Sequence, residues 1–199
     1  MLFRSQSGAG RTGKWWAIEH SGVQPDIVCM AKGIASGMPL GICMARAEIM
    51  DWVPGSHAST FGGNPIAIAS ALATMDILER EGIANAGHVG GKILERLAGW
   101  KQTHPLVGDI RGRGLMIGIE LVLNKETREP AAALRNRVET LCFEKGLLIL
   151  GCGETSLRLC PPLIVNEDEA TVALDILEEA LSQVEQEHFQ ATELVAVEA

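Results

Sequence analysis

Two short apolar runs, each bounded by glycine or proline, constrain the fold most strongly. The segment PDIVCMAKGIASGMPLGICMAR contains the runs 27–30 and 40–44, with glycines and a proline between them. Runs punctuated in this way predict two buried β-strands that a tight loop connects. Lys32 stands at the C-terminal end of the first run, and ligand sites of α/β sheets gather at the carboxyl ends of strands. Lys32 is therefore the first candidate functional residue.

The rest of the chain predicts helices and further strands. Asn64 as N-cap and Pro65 at the first helical position begin a helix, and Gly82 is expected to close it. Its apolar residues recur at helical spacing, at Ile68, Leu72, Met75 and Leu78. The later segments predict a helix, a strand, a helix, two strands and a last helix, at 89–101, 115–123, 129–146, 147–152, 156–160 and 166–187. The pattern predicts an α/β chain with domains at 1–85 and 86–187, the second of α+β type, and a frayed tail at 188–199.

Composition excludes several classes of partner. The net charge of −8 and the pI of about 5.1 argue against nucleic acid and anionic membranes as main partners. The sequence shows no signal peptide and no segment of transmembrane length, so we expect a cytoplasmic protein. The histidines show no metal-ligand spacing, and no metal is expected. The five cysteines form no C-x-x-C pair, which predicts buried free thiols in a reducing compartment rather than a metal site or a disulfide framework.

The stretch SGAGRTGKWW, residues 7–16, fits the dinucleotide fingerprint G-x-G-x-x-G and is close to a Walker A loop. A dinucleotide site needs a strand before the glycines and a helix after them, and neither is predicted here. The Walker pattern fails at Trp15, where a hydroxyl should hold magnesium. We therefore expect a glycine turn rather than a nucleotide cradle.

Four ordered motifs carry a family resemblance. They are the residues from SGAGRTGKWW through MAKGIASGMPLG, followed by STFGGNPIAIASALATMDILEREG, IRGRGLMIGIEL and LRLCPPLIVNEDE. Together they resemble the class III pyridoxal-phosphate (PLP) aminotransferases, fold-type I enzymes that include 4-aminobutyrate aminotransferase. The resemblance covers about Gln6 to Leu181 and corresponds to roughly the C-terminal half of a family member. It implies part of a large PLP-binding domain with a mostly parallel sheet, followed by a small α+β domain.

The resemblance implies a role for Lys32. The matching family lysine forms a Schiff base with PLP and later moves a proton between substrate and cofactor carbons. A free lysine has a pKa of about 10.4 and is protonated at neutral pH, so a nucleophilic lysine needs desolvation or a cationic neighbour. We expect the buried strand end to supply the desolvation.

The resemblance also implies three further contacts. Ser59 and Thr60 precede a glycine pair, where hydroxyl and backbone N–H donors suit a phosphate. The family threonine that matches Thr60 binds the PLP phosphate across a homodimer interface. Gln6 matches a glutamine near the ring hydroxyl. Arg158 matches an arginine that binds the substrate carboxylate, a task suited to the bidentate guanidinium.

One family position departs from the pattern. The family strand before the glycine loop reads Asp-Glu-Val-Gln, and its aspartate pairs with the pyridinium nitrogen of PLP. Here the residues are Phe3-Arg4-Ser5-Gln6, so Phe3 stands in the aspartate's place. With the family's earlier half also missing, we expect a truncated or mis-started reading frame whose product lacks efficient PLP catalysis.

The resulting hypothesis is a homodimeric aminotransferase, or a fragment of one. It would move an amino group from 4-aminobutyrate or a similar ω-amino acid or amine to 2-oxoglutarate. The Gly-Cys-Gly turn at 151–153 favours the 4-aminobutyrate branch over the acetylornithine branch. Two alternatives stay open: a catalytically inactive fragment, and an amino-acid racemase that uses the same lysine and PLP.

Overall fold

Two units, Met1–Gly87 and His88–Ala199, make up the computed structural model of the chain. Residues 2–3 and 7–198 are described, with side chains for residues 7–191. Each unit contains a small β-sheet and α-helices. This mixed content confirms the predicted α/β class.

A three-stranded sheet forms the β-structure of the first unit. Strand β1 (Leu2–Phe3) pairs in parallel with β2 (Ile27–Met30), which pairs antiparallel with β3 (Ile42–Ala45). The predicted strand–turn–strand unit is therefore confirmed. The second strand begins two residues later than predicted because Pro39 and Gly41 weaken strand pairing on either side of the predicted start.

One continuous helical stretch follows the sheet. Helix α1 (Pro65–Ile77) passes through a single π-helical turn, Leu78–Gly82, into helix α2 (Ile83–Leu97). The predicted stop at Gly82 is wrong. A glycine ends a helix by taking a left-handed backbone itself, but the φ of Gly82 is not positive. The helix continues, and the Ile83 N–H donates to the carbonyl five residues earlier.

Helix α1 buries a different face from the one that its large apolar residues define. Ala67 and Ala71 are buried, whereas Ile68, Leu72 and Met75 are exposed. The helix contacts the turn that follows β2, and small side chains permit that close approach. The large apolar residues of α1 therefore lie on the face of the helix that is exposed to solvent.

The second unit contains an antiparallel sheet with the strand order β4-β5-β8-β7. Strand β6 pairs with the C-terminal part of β5. Its strands are β4 (Val107–Arg113), β5 (Met116–Asn124), β6 (Glu129–Pro130), β7 (Leu150–Cys152) and β8 (Ser156–Leu159). Ile117, Ile119 and Leu121 alternate into the core, as expected for a sheet covered on one face. Strand β4 was not predicted, because its residues VGDIRGR carry three charges and no apolar run.

Three further helices belong to this unit: α3 (Trp100–Thr103), α4 (Ala132–Glu144) and α5 (Glu167–Glu198). The tail predicted as frayed beyond residue 187 is helical as far as residue 198, since no glycine or proline interrupts the sequence of α5. Within the described residues, no helix has both the length and the apolar character needed to cross a bilayer.

A reciprocal capping box begins α5, as the sequence predicts. The Asn166 Oδ1 accepts from the Glu169 N–H at 2.8 Å, and the Glu169 carboxylate accepts from the Asn166 N–H at 3.0 Å. We expect Asn166→Ala to lower the free energy of unfolding by about 1 kcal/mol. Urea unfolding checks this, with the exposed substitution Gln190→Ala in the same helix as control. Equal midpoints for the two variants would contradict the capping role.

The expectation of buried thiols is wrong for four of the five cysteines. Cys43, Cys152 and Cys160 are exposed, and Cys29 is half-buried. Only Cys142 is buried, and its burial raises the pKa of the thiol to about 11. A thiol with so high a pKa carries little thiolate at neutral pH, so Cys142 is chemically inert.

Candidate functional site

The glycine-rich loop of residues 7–16 is a closed turn. Gly10 and Gly13 have left-handed backbone angles, φ +79° and +80°, which glycine adopts without strain. The Gly10 N–H donates to the Trp15 carbonyl at 3.1 Å, and the Gly13 N–H donates to the Gly10 carbonyl at 3.0 Å. A phosphate cradle needs amides that point to the ligand, and these two are already paired within the loop. The geometry favours the predicted glycine turn over both nucleotide motifs.

Two residues that precede this loop, Phe3 and Gln6, were identified from the sequence as positions of the cofactor site. Gln6 lies outside the described residues, so its contact with the ring hydroxyl stays a prediction. Phe3, in the place of the family aspartate, lies on β1 opposite Cys29 of β2. The position on β1 where the family has its aspartate is thus occupied by phenylalanine, which has no carboxylate.

Lys32 begins a short 3-10 helix, Lys32–Ala35, directly after β2. Its backbone φ is +56°, a left-handed conformation that costs a non-glycine residue about 1–3 kcal/mol. Such strain persists where the surroundings hold the backbone in place. Here Ile34 and Ala35 are buried, and the Ser70 hydroxyl of α1 donates to the Ala35 carbonyl at 2.8 Å. Helix α1 therefore holds the strained turn that carries Lys32.

A second hydrogen bond ties the same turn to α1. The hydroxyls of Ser36 and Thr74 lie 2.8 Å apart. The single hydroxyl hydrogen of Thr74 is donated to the Ser70 carbonyl at 2.7 Å, so Ser36 is the donor to Thr74. Ser36, Ser70 and Thr74 are not among the site residues predicted from the sequence. Their signal is a Ser and a Thr four residues apart in a helix whose one other polar residue is Asp76.

The side chain of Lys32 is exposed, contrary to the desolvation expected at a buried strand end. Met30, the last residue of β2, is buried, but the turn brings the chain to the surface within two residues. Burial within this unit thus does not desolvate Lys32.

Ser59 and Thr60 lie in an exposed loop that leads into α1. The Gly62 N–H donates to the Ser59 carbonyl at 3.2 Å and closes a turn. Asn64 then caps the helix, its Oδ1 accepting from the Ile66 N–H at 2.9 Å. Both hydroxyls are open to solvent, as a contact with a ligand or a second chain requires.

The first unit contains three of the four predicted site residues that the structure describes. Lys32, Ser59 and Thr60 belong to it, and Arg158 belongs to the second unit. Helix α1 supports both segments within the first unit, since the loop of Ser59 and Thr60 precedes its N-terminus and Ser70 in its second turn donates to the turn that carries Lys32.

Arg158 lies on β8, in register with Gly118 of β5 and Leu150 of β7. It lines a cavity of about 370 Å³ in the second unit. Arg158 is the one charged residue among the lining residues, which are mostly leucine, isoleucine, proline and alanine. They come from α2, β7, β8, α5 and the segments that precede β7 and follow β8. A guanidinium beside an apolar cavity suits a ligand that has a carboxylate and an apolar body.

Three curated relatives resemble most of the chain. A leucine/methionine racemase of Thermococcus litoralis is 43% identical over 91% of this chain and 41% of its own length. An acetylornithine aminotransferase of Caldanaerobacter subterraneus subsp. tengcongensis is 41% identical, over 92% and 45%. A 4-aminobutyrate aminotransferase of Mycobacterium leprae is 43% identical, over 88% and 40%. The chain therefore spans less than half the length of these relatives.

Solved transaminase structures share the fold. A Bacillus anthracis aminotransferase matches with a TM-score of 0.85 and 39% identity, over 91% of this chain and 44% of its own. An amine transaminase from an uncultivated Pseudomonas species, in its PLP-bound form, matches with a TM-score of 0.85 and 36% identity, over 92% and 45%. At these identities the likeness extends beyond the fold to the sequence.

A family model places these likenesses in one group. The model described as "Aminotransferase class-III" matches residues 5–181, which is most of the chain. Aminotransferases of this class use pyridoxal phosphate, in agreement with the PLP-bound structure. The chain belongs to the class III aminotransferase family.

Proposed function

We propose that the chain supplies Lys32 as the cofactor-linking lysine, and Arg158 as the carboxylate-binding residue, of a PLP-dependent aminotransferase. The observation that carries this proposal is the strained backbone of Lys32. Left-handed backbone at a non-glycine residue is concentrated at functional sites, where the surroundings impose it. Here two buried residues and the Ser70 hydroxyl hold that geometry, while the lysine side chain stays exposed and accessible.

The chain's residues fit PLP in part. Lys32 offers a primary amine, and Ser59 and Thr60 offer hydroxyl donors suited to a phosphate. A carboxylate for the ring nitrogen is not supplied by β1, where Phe3 takes the family position. When bound, PLP supplies an electron sink for the substrate. Lys32 Nζ would hold the cofactor and, as a free amine, act as general base at the substrate carbon.

The proposed substrates are carboxylates. Arg158 would bind the carboxylate of 4-aminobutyrate or a similar ω-amino acid, and that of 2-oxoglutarate as amino acceptor. The apolar cavity beside Arg158 supports a substrate with a hydrocarbon body. The relatives named as racemases favour a second candidate, racemisation of an amino acid on the same lysine.

The proposed assembly is a cytoplasmic homodimer with shared sites. Thr60 would reach the cofactor phosphate bound to a second copy of the chain. The exposure of the loop that carries Ser59 and Thr60 supports such a contact.

Titration of the purified chain with PLP, followed by visible absorbance, tests the lysine assignment. We expect a saturable spectral change that Lys32→Ala abolishes. Lys14→Ala, which removes another exposed lysine of the same unit, should retain it. A change of equal size in all three proteins would contradict the assignment, because it would report unspecific amine chemistry.

Product analysis then separates the two candidate activities. We expect conversion of the amino donor to depend on both 2-oxoglutarate and Lys32, and to be slow because Phe3 replaces the ring-nitrogen partner. Inversion of an amino acid without any 2-oxo acid would instead support the racemase. No conversion by a chain that binds PLP through Lys32 would favour the inactive fragment.

A further inference from the structure

Cys29 and Cys43 form a directly opposed pair across strands β2 and β3. Opposed residues in an antiparallel sheet have Cα atoms about 4.5–5.5 Å apart. Disulfides form at Cα separations of about 4.4–6.8 Å, so the two backbones already stand at a suitable distance. The other exposed cysteines lack such a partner: Cys152 opposes Ser156, and Cys160 follows the end of β8.

The two thiols also interact with each other. Burial raises the pKa of the Cys29 thiol, and a hydrogen bond with the Cys43 side chain raises it further. Cys43 is exposed, whereas Cys29 is half-buried. A reagent in solution therefore reacts with Cys43 first, and Cys29 lies next to the modified sulfur.

We propose that Cys29 and Cys43 are a thiol–disulfide exchange site whose oxidised form is a cross-strand disulfide. The oxidant is a low-molecular-weight disulfide such as oxidised glutathione. The Cys43 thiolate attacks one sulfur of the oxidant, which forms a mixed disulfide and releases one thiol. The Cys29 thiolate then attacks the Cys43 sulfur, which forms the protein disulfide and releases the second thiol. The two cysteines are oxidised, one oxidant disulfide is reduced, and their two protons end on the released thiols.

Thiol–disulfide exchange at Cys29 and Cys43 is separate from the proposed aminotransferase activity. The disulfide would close the loop of residues 30–42, which holds the strained turn of Lys32. A disulfide between β2 and β3 would hold the two strands together at the ends of that turn even when their backbone hydrogen bonds break. Disulfides in reducing compartments are usually transient and redox-sensing, which fits an exposed, accessible pair.

Oxidation of a Cys152→Ser/Cys160→Ser variant, which keeps the opposed pair, tests the proposal. The protein is incubated with oxidised glutathione, alkylated under native and denaturing conditions, and digested for mass spectrometry. We expect a peptide pair linked through Cys29 and Cys43 in monomeric protein, reversed by dithiothreitol. Cys29→Ser in the same background should stop at the glutathione adduct on Cys43.

Two results would overturn the proposal. One is a stable glutathione adduct on Cys43 while Cys29 is intact, and the other is a link only between separate chains. Urea unfolding provides a second measurement. Oxidation should raise the midpoint of the protein with both cysteines and leave that of Cys29→Ser unchanged, whereas equal midpoints in oxidised and reduced protein would show that no loop had been closed.

Discussion

Gly90→Ala is expected to destabilise the chain by about 3 kcal/mol, a large loss for a single added methyl group. A Cβ at Gly90 of α2 would lie 2.2 Å from both the carbonyl carbon and the oxygen of Gly114, and 2.5 Å from its Cα. These are backbone atoms of the turn between β4 and β5, so no flexible side chain can move aside. The helix or the hairpin would have to shift, at the expense of core packing. Urea unfolding followed by circular dichroism measures the loss.

Gly91→Ala is the matched control for this prediction. Gly91 is the next residue of the same helix, and a Cβ there meets nothing within 4 Å. Because alanine favours the helix over glycine, this substitution should stabilise the chain by about 0.5–1 kcal/mol. A similar shift in stability for both variants would contradict the close approach of α2 to the β4–β5 turn.

Glu185→Ala is expected to lower the free energy of unfolding by about 3 kcal/mol. Glu185 of α5 is buried, and its carboxylate has two buried partners. One oxygen lies 2.9 Å from Nδ1 of His104, and the other accepts from the Leu106 N–H at 3.1 Å. Alanine leaves both polar groups without this partner, and the cost of an unsatisfied buried group exceeds the value of an average hydrogen bond.

Two further variants separate this network from simple loss of charge. Glu185→Gln retains a carbonyl oxygen for Leu106 and an amide donor for His104, so we expect a loss of about 1 kcal/mol. Glu179→Ala removes an exposed glutamate of the same helix that pairs with Lys145, and its effect should stay within about 0.5 kcal/mol. An equal effect of Glu179→Ala and Glu185→Ala would contradict the buried network. Thermal or urea unfolding of all three variants provides the comparison.

Locally encoded elements were predictable from the sequence. The strand–turn–strand unit around Lys32 follows from apolar runs and turn residues, and the caps at Asn64 and Asn166 need only a few neighbouring residues. Elements that depend on partners far away in the sequence could not be predicted from it. Strand β4 exists because β5 pairs with it, and Gly82 continues the helix although its residue type predicts a stop.

The candidate site shows the same division. Periodicity and resemblance identify Lys32 and Arg158 as candidates, but neither shows the left-handed backbone of Lys32 or the hydroxyl of Ser70 that supports it. Burial depends on the three-dimensional path of the chain, so the exposure of Lys32 and of three cysteines had no sequence signal. Likewise, the opposition of Cys29 and Cys43 appears only with the strand register.

Lys32 is proposed to link the cofactor. The most direct test is borohydride reduction of the chain after incubation with limiting PLP, followed by peptide mapping of the pyridoxyl group. We expect one dominant modified peptide, the one that contains Lys32. In the Lys32→Ala variant we expect no other lysine to be modified with a similar yield. A pyridoxyl group spread over several exposed lysines of the folded chain, or located mainly at another lysine, would contradict it.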